Sequence, residues 1–339
     1  MADFPRRALE TTIGCLGVAA LGVAMLGDAR AADLEVRYLD VGQADAALIR
    51  CPDGEHRMLI DAADTRYPGS TTAFKDALQA EFQGEPQPWA LDVVVASHPH
   101  ADHIGSMLWV LETFDVETYV DNGQQGDTAT FGRVNAERRR QVEAGELTYV
   151  PGKTSHGTEL TLCPDHDVTV KVLVPWALDA TLSDTNDRSV VIRLDFGECS
   201  FLFVGDAHDD AEAVMVAAFP DDLDVDVLKV GHHGSHTSSS DDFIEQVSPD
   251  VAVVSSGKPG VGTNSRYKHP RYRTVGRYAR WFKSLSPPHP LEGDRVRAYD
   301  EDEERWRQHQ RRTGLWLTPV DGTLTLTCDG QDVTVTPER

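Results

Sequence analysis

From Leu34 onward the polar and apolar positions follow a strand-rich plan. Leu34 to Asp40, Ala46 to Cys51 and Arg57 to Ala62 are short apolar runs, separated by turn residues such as Pro52-Asp53-Gly54. The spacing predicts a helix over Thr71 to Gln83. The unbroken apolar run Leu91 to Ala96 reads as a buried strand, followed by a helix from about Asp102 to Glu112. Strands are expected at Glu117–Val120, Glu159–Cys163 and Val168–Val174. The second half repeats the plan, with strands at Ser189–Leu194, Ser200–Val204, Val225–Val230 and Val251–Ser255. Its helices fall at Asp209–Phe219, Asp241–Val247 and Arg271–Lys283. Ser284 to Arg312, rich in proline and charge, reads as a loop or insertion, and Leu315–Pro319 and Thr323–Cys328 as the closing strands. This order suggests two sheets packed face to face with helices outside, an α/β fold.

The 339 residues are 40% hydrophobic and 26% charged, which suits a globular chain and excludes collagen, low-complexity disorder and a polytopic membrane protein. Its net charge of −23 argues against a generic polyanion binder, so a nucleic-acid partner would need a local basic patch or a metal. Arg6-Arg7, an uncharged run from Thr11 to Gly27 and Ala29-Arg30-Ala31 have the order of a secretory signal peptide over residues 1–31, leaving 32–339 as the mature domain. The arginine pair also fits a twin-arginine signal. The alternative for this segment is an uncleaved membrane anchor. Export makes the protein secreted or periplasmic. Cys51, Cys163, Cys199 and Cys328 then allow two disulfides in three connectivities, or four buried thiols.

The chemistry lies at strand ends. Ser97-His98-Pro99-His100-Ala101-Asp102-His103 follows an apolar strand and opens a helix, placing four potential ligands within six residues. Imidazole and carboxylate together suit zinc, manganese or iron, and a pair of such ions can share and activate a water. Phe203-Val204-Gly205-Asp206 and Lys229-Val230-Gly231-His232-His233-Gly234-Ser235 end two further strands. Adjacent histidines point different ways; His232 is preferred as a ligand, with His233 near the substrate or exchanged into that role.

At these residues the chain resembles the metallo-β-lactamase superfamily. Within it, the chain resembles the extracellular hydrolase domain of the DNA-internalisation competence protein ComEC and its free-standing relatives. Asp40-Val41-Gly42-Gln43-Ala44-Asp45 looks like that family's opening motif with Ala44 in place of glycine. Leu59-Ile60-Asp61, Asn186-Asp187-Arg188-Ser189 and Asn264 to Pro270 follow in the family's order. The resemblance implies an αββα sandwich with two divalent ions, zinc or manganese, held by His98, His100, Asp102, His103, Asp206 and His232. It also implies hydrolysis by a metal-bound hydroxide held by Asp102. Many members carry another histidine before the Gly-Asp; His156 and His166 are the candidates here, and neither ends a strand. Asp45 and Asp61 are expected to orient ligands. Asn186, Ser189, His233 and Asn264 are expected to meet substrate, and His269 to contact a phosphoryl oxygen or protonate a leaving group.

Gly257 to Lys283 carries eight cations and no acid, interleaved with five aromatic residues. That pattern fits a single-stranded nucleic acid. It equally fits an amphipathic helix with its rings in the core and its arginines paired to surface acids. The expected activity is cleavage of a phosphodiester, with DNA or another nucleic acid as substrate. A cell-surface phosphodiesterase or esterase, on a phosphorylcholine-bearing polymer for example, is the alternative, and a β-lactam or lactone hydrolase ranks below it.

Overall fold

The computed structural model describes residues 33–339. The expected signal peptide, residues 1–31, lies outside the described residues. The strands in chain order are β1 Leu34–Tyr38, β2 Ala47–Arg50, β3 Arg57–Ile60, β4 Trp89–Ala96, β5 Phe114–Asp121 and β6 Thr148–Pro151, then β7 Thr158–Leu160, β8 Val168–Leu173, β9 Val191–Phe196, β10 Cys199–Phe203, β11 Val227–Lys229 and β12 Val251–Val254. A hairpin, β13 Leu291–Asp300 and β14 Arg305–Arg312, precedes β15 Leu315–Leu317, β16 Leu324–Cys328 and β17 Val333–Pro337.

One sheet runs β17-β16-β1-β2-β3-β4-β5-β6 and the other β15-β12-β11-β10-β9-β8-β7. Alternation along the strands explains the layers. Val93 and Val95 of β4 and Phe201 and Phe203 of β10 enter the layer between the sheets. Val94 packs outward with Phe74 and Leu78 of the helix Pro68–Glu81. Leu202 packs outward with Met215 of the helix Asp209–Ala218 and Tyr278 of the helix Tyr272–Ser284. Strands covered on both faces read as continuous apolar runs. The architecture is the αββα sandwich.

Several elements depart from expectation. The helix expected from Asp102 to Glu112 is two pieces, Ala101–Ile104 and Met107–Thr113. Gly105 and Ser106 break it by donating their N–H groups to the carbonyls of Ala63 and Ala62. A Cβ on Gly105 would lie 2.6 Å from backbone atoms of Ala63, Thr65 and Ala101, so only glycine admits this approach. The loop expected over Ser284–Arg312 contains the β13–β14 hairpin. Arg295-Val296-Arg297-Ala298 does alternate exposed and buried, but neighbouring prolines and acids obscure it. The helix Ala129–Ala144 and β6 were not expected. Thr128 caps that helix by accepting the Phe131 N–H, and Gly145 ends it in a left-handed turn, yet its apolar stripe is too thin to stand out. β17 adds a strand beyond Cys328.

Of the three connectivities, the chain adopts Cys51–Cys163 and Cys199–Cys328. Each joins one sheet to the other. The register puts Leu34, Arg50 and Cys328 at one end of the first sheet and Tyr38, Ala47 and Ile60 at the opposite end. Both bridges therefore lie at the end of the sandwich away from the histidine-bearing loops. Among the described residues, no helix is long and apolar enough to cross a membrane.

Candidate metal centre

β4, β10 and β11 stop at the same edge of the sandwich, and the loops after their carboxyl ends bring His98 to His103, Asp206, His232 and His233 together. Asp206 is the hub. Its Oδ2 lies 3.2 Å from His103 Nε2, 3.7 Å from His233 Nε2, and 3.8 Å from the Nε2 atoms of both His98 and His232. His100 Nδ1 is 2.9 Å from His98 Nε2, and Asp102 Oδ2 is 3.8 Å from His233 Nε2. Both neighbours of the His232-His233 pair thus face the cluster. Each has left-handed backbone, φ 46° and 54°, and both Nε2 atoms come within 3.8 Å of Asp206 Oδ2. His233 belongs to a fully buried group of potential ligands with Asp45, His103 and Asp206.

The hydrogen bonds fix which ring nitrogen each histidine offers. His233 Nδ1 lies 3.0 Å from the Ser255 carbonyl, which only accepts, so Nδ1 carries a proton and Nε2 faces inward. His103 Nδ1 lies 2.7 Å from the Asp61 carboxylate, with the same result. Ser97 donates its hydroxyl to Asp61 at 2.8 Å, which leaves its oxygen to accept from His98 Nδ1 at 3.1 Å. Asp45 sits on the Nδ1 side of His103 and His233 and is closed by the Lys229 ammonium. Asp45 and Asp61 thus orient imidazoles rather than facing the opening.

The donor set fits a divalent cation. His103 Nε2, His233 Nε2 and Asp206 Oδ1 are buried without a hydrogen-bond partner among the described residues, and both Nε2 atoms lie within 3.7 Å of the other Asp206 oxygen. Burial disfavours the Asp206 carboxylate, but His103 and His233 outweigh it and hold it well below the usual range. Burial likewise opposes charge on His103 and His233, and Asp206 with Asp61 or Asp45 overrides it and raises both. Burial pushes His98 well down and His232 down to about 4. Four carboxylates, Asp45, Asp61, Asp102 and Asp206, are thus gathered with only Lys229 and Arg66 as fixed cations, so charge on His103 and His233 makes up the balance, a role that bound divalent cations would take over.

Other expected residues take different places. Asn264 is fully buried. Its amide donates to the carbonyls of Gly257 and His269, and its oxygen accepts the His269 N–H at 2.7 Å, so it shapes the His269 loop and does not meet substrate. Ser189 is also fully buried; its hydroxyl accepts the Asp206 N–H at 3.2 Å and supports that residue's backbone in place of a substrate contact. Asn186 lies at the edge, with Nδ2 3.0 Å from His208 Nε2. His269 is buried beside His232 and His233, ring centroids 5.3 and 6.1 Å away. Ala44 does not have positive φ, so the alanine in the opening motif is unstrained. His156 accepts the Val174 N–H and His166 faces Asp53, and neither reaches the cluster.

Four further residues belong to the site. His208 stacks on His232 at 4.9 Å; its place two residues after Asp206 was the available signal. Lys229, a charge inside an apolar strand, could have been read as buried and paired. Gln43 donates to His269 Nδ1 at 3.2 Å and accepts the Gly257 N–H. Arg66 is held by Asp64 at 3.0 Å, donates to the Tyr267 hydroxyl at 3.0 Å, and puts Nη2 3.4 Å from Asp102 Oδ1.

Along Gly257–Lys283 the amphipathic-helix arrangement accounts for much of the pattern. Tyr278 and Phe282 lie in the core, Arg271 pairs with Glu301, Arg273 with Asp302 and Arg280 with Asp241.

This sandwich, with an Asp-centred cluster of histidines at one edge, is a metal-dependent hydrolase fold, and the chain belongs to the metallo-beta-lactamase superfamily, whose family model matches residues 39–258. Its relatives include the ComE operon protein 3 of Bacillus subtilis (strain 168), 28% identical over 249 residues, which are 71% of this chain and 30% of that protein. The Recombination protein 2 of Haemophilus influenzae is 26% identical over 287 residues, 84% of this chain and 31% of that protein. The Competence protein ComA of Neisseria gonorrhoeae is 41% identical over 87 residues, 26% of this chain and 12% of that protein. The chain thus spans less than a third of the length of these competence-protein relatives.

Proposed function

We propose that the protein is an exported phosphodiesterase that cleaves nucleic acid with two divalent ions, zinc or manganese. The observation that carries this reading is Arg66. Its side chain is 41% exposed, and its guanidinium is fixed by a buried carboxylate beside Asp102, at the mouth of the cluster. Its Nε and Nη2 are engaged by Asp64 and Asp102 and its Nη1 donates once, to Tyr267, so Nη1 keeps an N–H that can recognise a phosphoryl oxygen. The names of the relatives, competence and recombination proteins, support nucleic acid as the polymer.

Asp102, His103, Asp206 and His233 would hold one ion, and His98, His100 and His232 the other, with Asp206 shared. Bound there, the ions supply Lewis acidity and a water activated near neutral pH. The chain's own groups do the rest. Asp61, Ser97 and Ser255 lock the Nδ1 protons of three ligand histidines, so their Nε2 lone pairs are preorganised. Gln43 donates to His269 Nδ1, which leaves the neutral ring's proton on Nε2, available to a substrate or leaving-group oxygen. Burial and the neighbouring His232 and His233 keep that ring neutral. Arg66 binds the non-bridging oxygen of the phosphodiester.

The test pairs elemental analysis with turnover of bis(p-nitrophenyl) phosphate, single-stranded DNA, nitrocefin and neutral p-nitrophenyl acetate after reconstitution with zinc or manganese. Arg66→Ala is expected to lower kcat/KM for both phosphodiesters about 10- to 100-fold, the cost of one hydrogen bond to a charged group. The neutral ester should be unaffected. Nitrocefin as the best substrate, or an equal loss on the neutral ester, would overturn the phosphodiester assignment.

Export is supported by two inter-sheet disulfides, which persist in oxidising compartments. N-terminal sequencing of protein recovered from the culture medium or periplasm is expected to start at or near Ala32. Full-length protein in the membrane fraction would favour the anchor.

A further inference from the structure

A cleft of about 740 Å³ lies between the helix Tyr272–Ser284 and the β13–β14 hairpin. Its helical wall presents Arg273, Arg277, Arg280 and Lys283, spaced three or four residues apart and so aligned in one stripe. Gly276 and Ala279 leave its floor shallow, and Arg312 adds a cation from the hairpin. Asp241 is its one acid. In a chain of net charge −23 this is a local reversal of sign.

The cations are available to a ligand. The Arg273–Asp302 and Arg280–Asp241 pairs have every side chain more than 60% exposed, and such pairs exchange readily for a stronger anion. Arg277 donates to the carbonyls of Ser238 and Ser239, which fix the guanidinium without neutralising it. One wall also carries rings. Tyr272 and His309 pack edge to face at 5.0 Å and both line the cleft, with the Arg307 guanidinium 4.6 Å from the centre of the Tyr272 ring, a cationic and aromatic wall for a base.

The cleft is tied to the metal centre. Arg271 donates its N–H to the Gly234 carbonyl and Tyr299 of β13 donates to the Pro270 carbonyl, so helix and hairpin are anchored on the loop that carries His269. From that end the stripe runs along the helix for roughly 15–20 Å at ~1.5 Å per residue. The family match ends at residue 258, so both walls lie beyond it.

We infer that this cleft seats a single strand of nucleic acid and leads it to the metal centre. The phosphates lie along the arginine stripe and a base stacks on the Tyr272–His309 wall. This deepens the phosphodiesterase reading and rests on it for the identity of the polymer, but binding can be measured without turnover.

The probe is a fluorescein-labelled single-stranded 20-mer, followed by anisotropy across a salt series. The triple variant Arg273→Glu, Arg277→Glu, Arg280→Glu is expected to weaken binding at least 30-fold and to flatten the salt slope by about 2, at ~0.7 per lost phosphate contact. Turnover of bis(p-nitrophenyl) phosphate stays within twofold of wild type, because that substrate needs only the metal centre. Since the triple variant removes three ion and carbonyl contacts, Gly276→Glu is the second arm. A Cβ there meets nothing closer than 3.7 Å, and glutamate is a better helix former than glycine. This single acid should weaken the 20-mer at least fivefold with no loss of thermal stability.

Unchanged oligonucleotide affinity in Gly276→Glu overturns the inference whatever the triple variant does. A poly(glycerol phosphate) of equal charge that competes as well as the 20-mer also overturns it, since the ring platform then contributes nothing. Absence of phosphodiester turnover with cleft-dependent binding intact would instead sink the catalytic reading alone.

Discussion

Asp206→Ala is expected to reduce hydrolysis by three orders of magnitude or more, about 4 kcal/mol of transition-state stabilisation, while the secondary structure stays intact. The expectation follows from its position. Four imidazole nitrogens converge on its Oδ2 within 3.8 Å, two from the segment after β4 and two from the loop after β11. Asp206 is the carboxylate that both proposed ions would share, so its removal would take a ligand from each. Elemental analysis should register the loss as a fall in bound metal per chain, and far-UV circular dichroism should be unchanged. Asp206→Asn separates charge from geometry. It preserves shape and one acceptor oxygen, and should recover part of the metal content but little turnover. Near-wild-type turnover in Asp206→Ala would mean that the reacting centre lies elsewhere.

The layers of the fold are legible in the sequence because burial on both faces of β4, β10, β11 and β12 turns those strands into uninterrupted apolar runs. The elements that escape notice are those with thin or one-sided burial. In the helix Ala129–Ala144 the buried positions are Val134, Arg138 and Gln141, two of them polar. In β13 only the last few residues are shielded. The histidines at the strand ends are visible for a related reason: a polar cluster directly after an apolar run has nowhere to point except the sheet edge. What sequence spacing does not reveal is how those histidines are held. Gln43 meets His269 across 226 positions, and Lys229 meets Asp45 across 184. Asn264 and Ser189 show the converse. Both lie in motifs beside the site, yet both are fully buried and serve the backbone of the residues that face it. The four cysteines show the limit of counting, since three pairings are equal on paper and only the stacking of the two sheets selects one.

That pairing carries the second large effect. Cys51–Cys163 closes a sequence separation of 112 residues and Cys199–Cys328 one of 129. Loops of this length confine the unfolded chain strongly, up to about 4–5 kcal/mol per bridge in the chain-entropy account, with 2–4 typical of measured cases. Both bridges staple one sheet to the other, so each also opposes separation of the sandwich at the end where no metal would hold it. The double variant Cys199→Ala, Cys328→Ala is expected to lose about 2–5 kcal/mol of unfolding free energy, and reduction of wild type, which opens both bridges, should lower Tm further than this variant does. Metal content and turnover at 25 °C should change little. The bridges join the end of β2 to the β7–β8 loop and the start of β10 to the end of β16, away from the sheet edge that carries Asp61, His98 and Asp206, and the nearest ligand loops are held by their own hydrogen bonds to Ser97, Ser189 and Ser255. A thermal scan with and without reductant, with free thiols titrated to establish that the bridges have opened, measures this directly. An unchanged midpoint after complete reduction would mean that core packing alone fixes the two sheets. A loss of bound metal on reduction would mean that the far end of the sandwich communicates with the site, which the register of these strands does not lead one to expect.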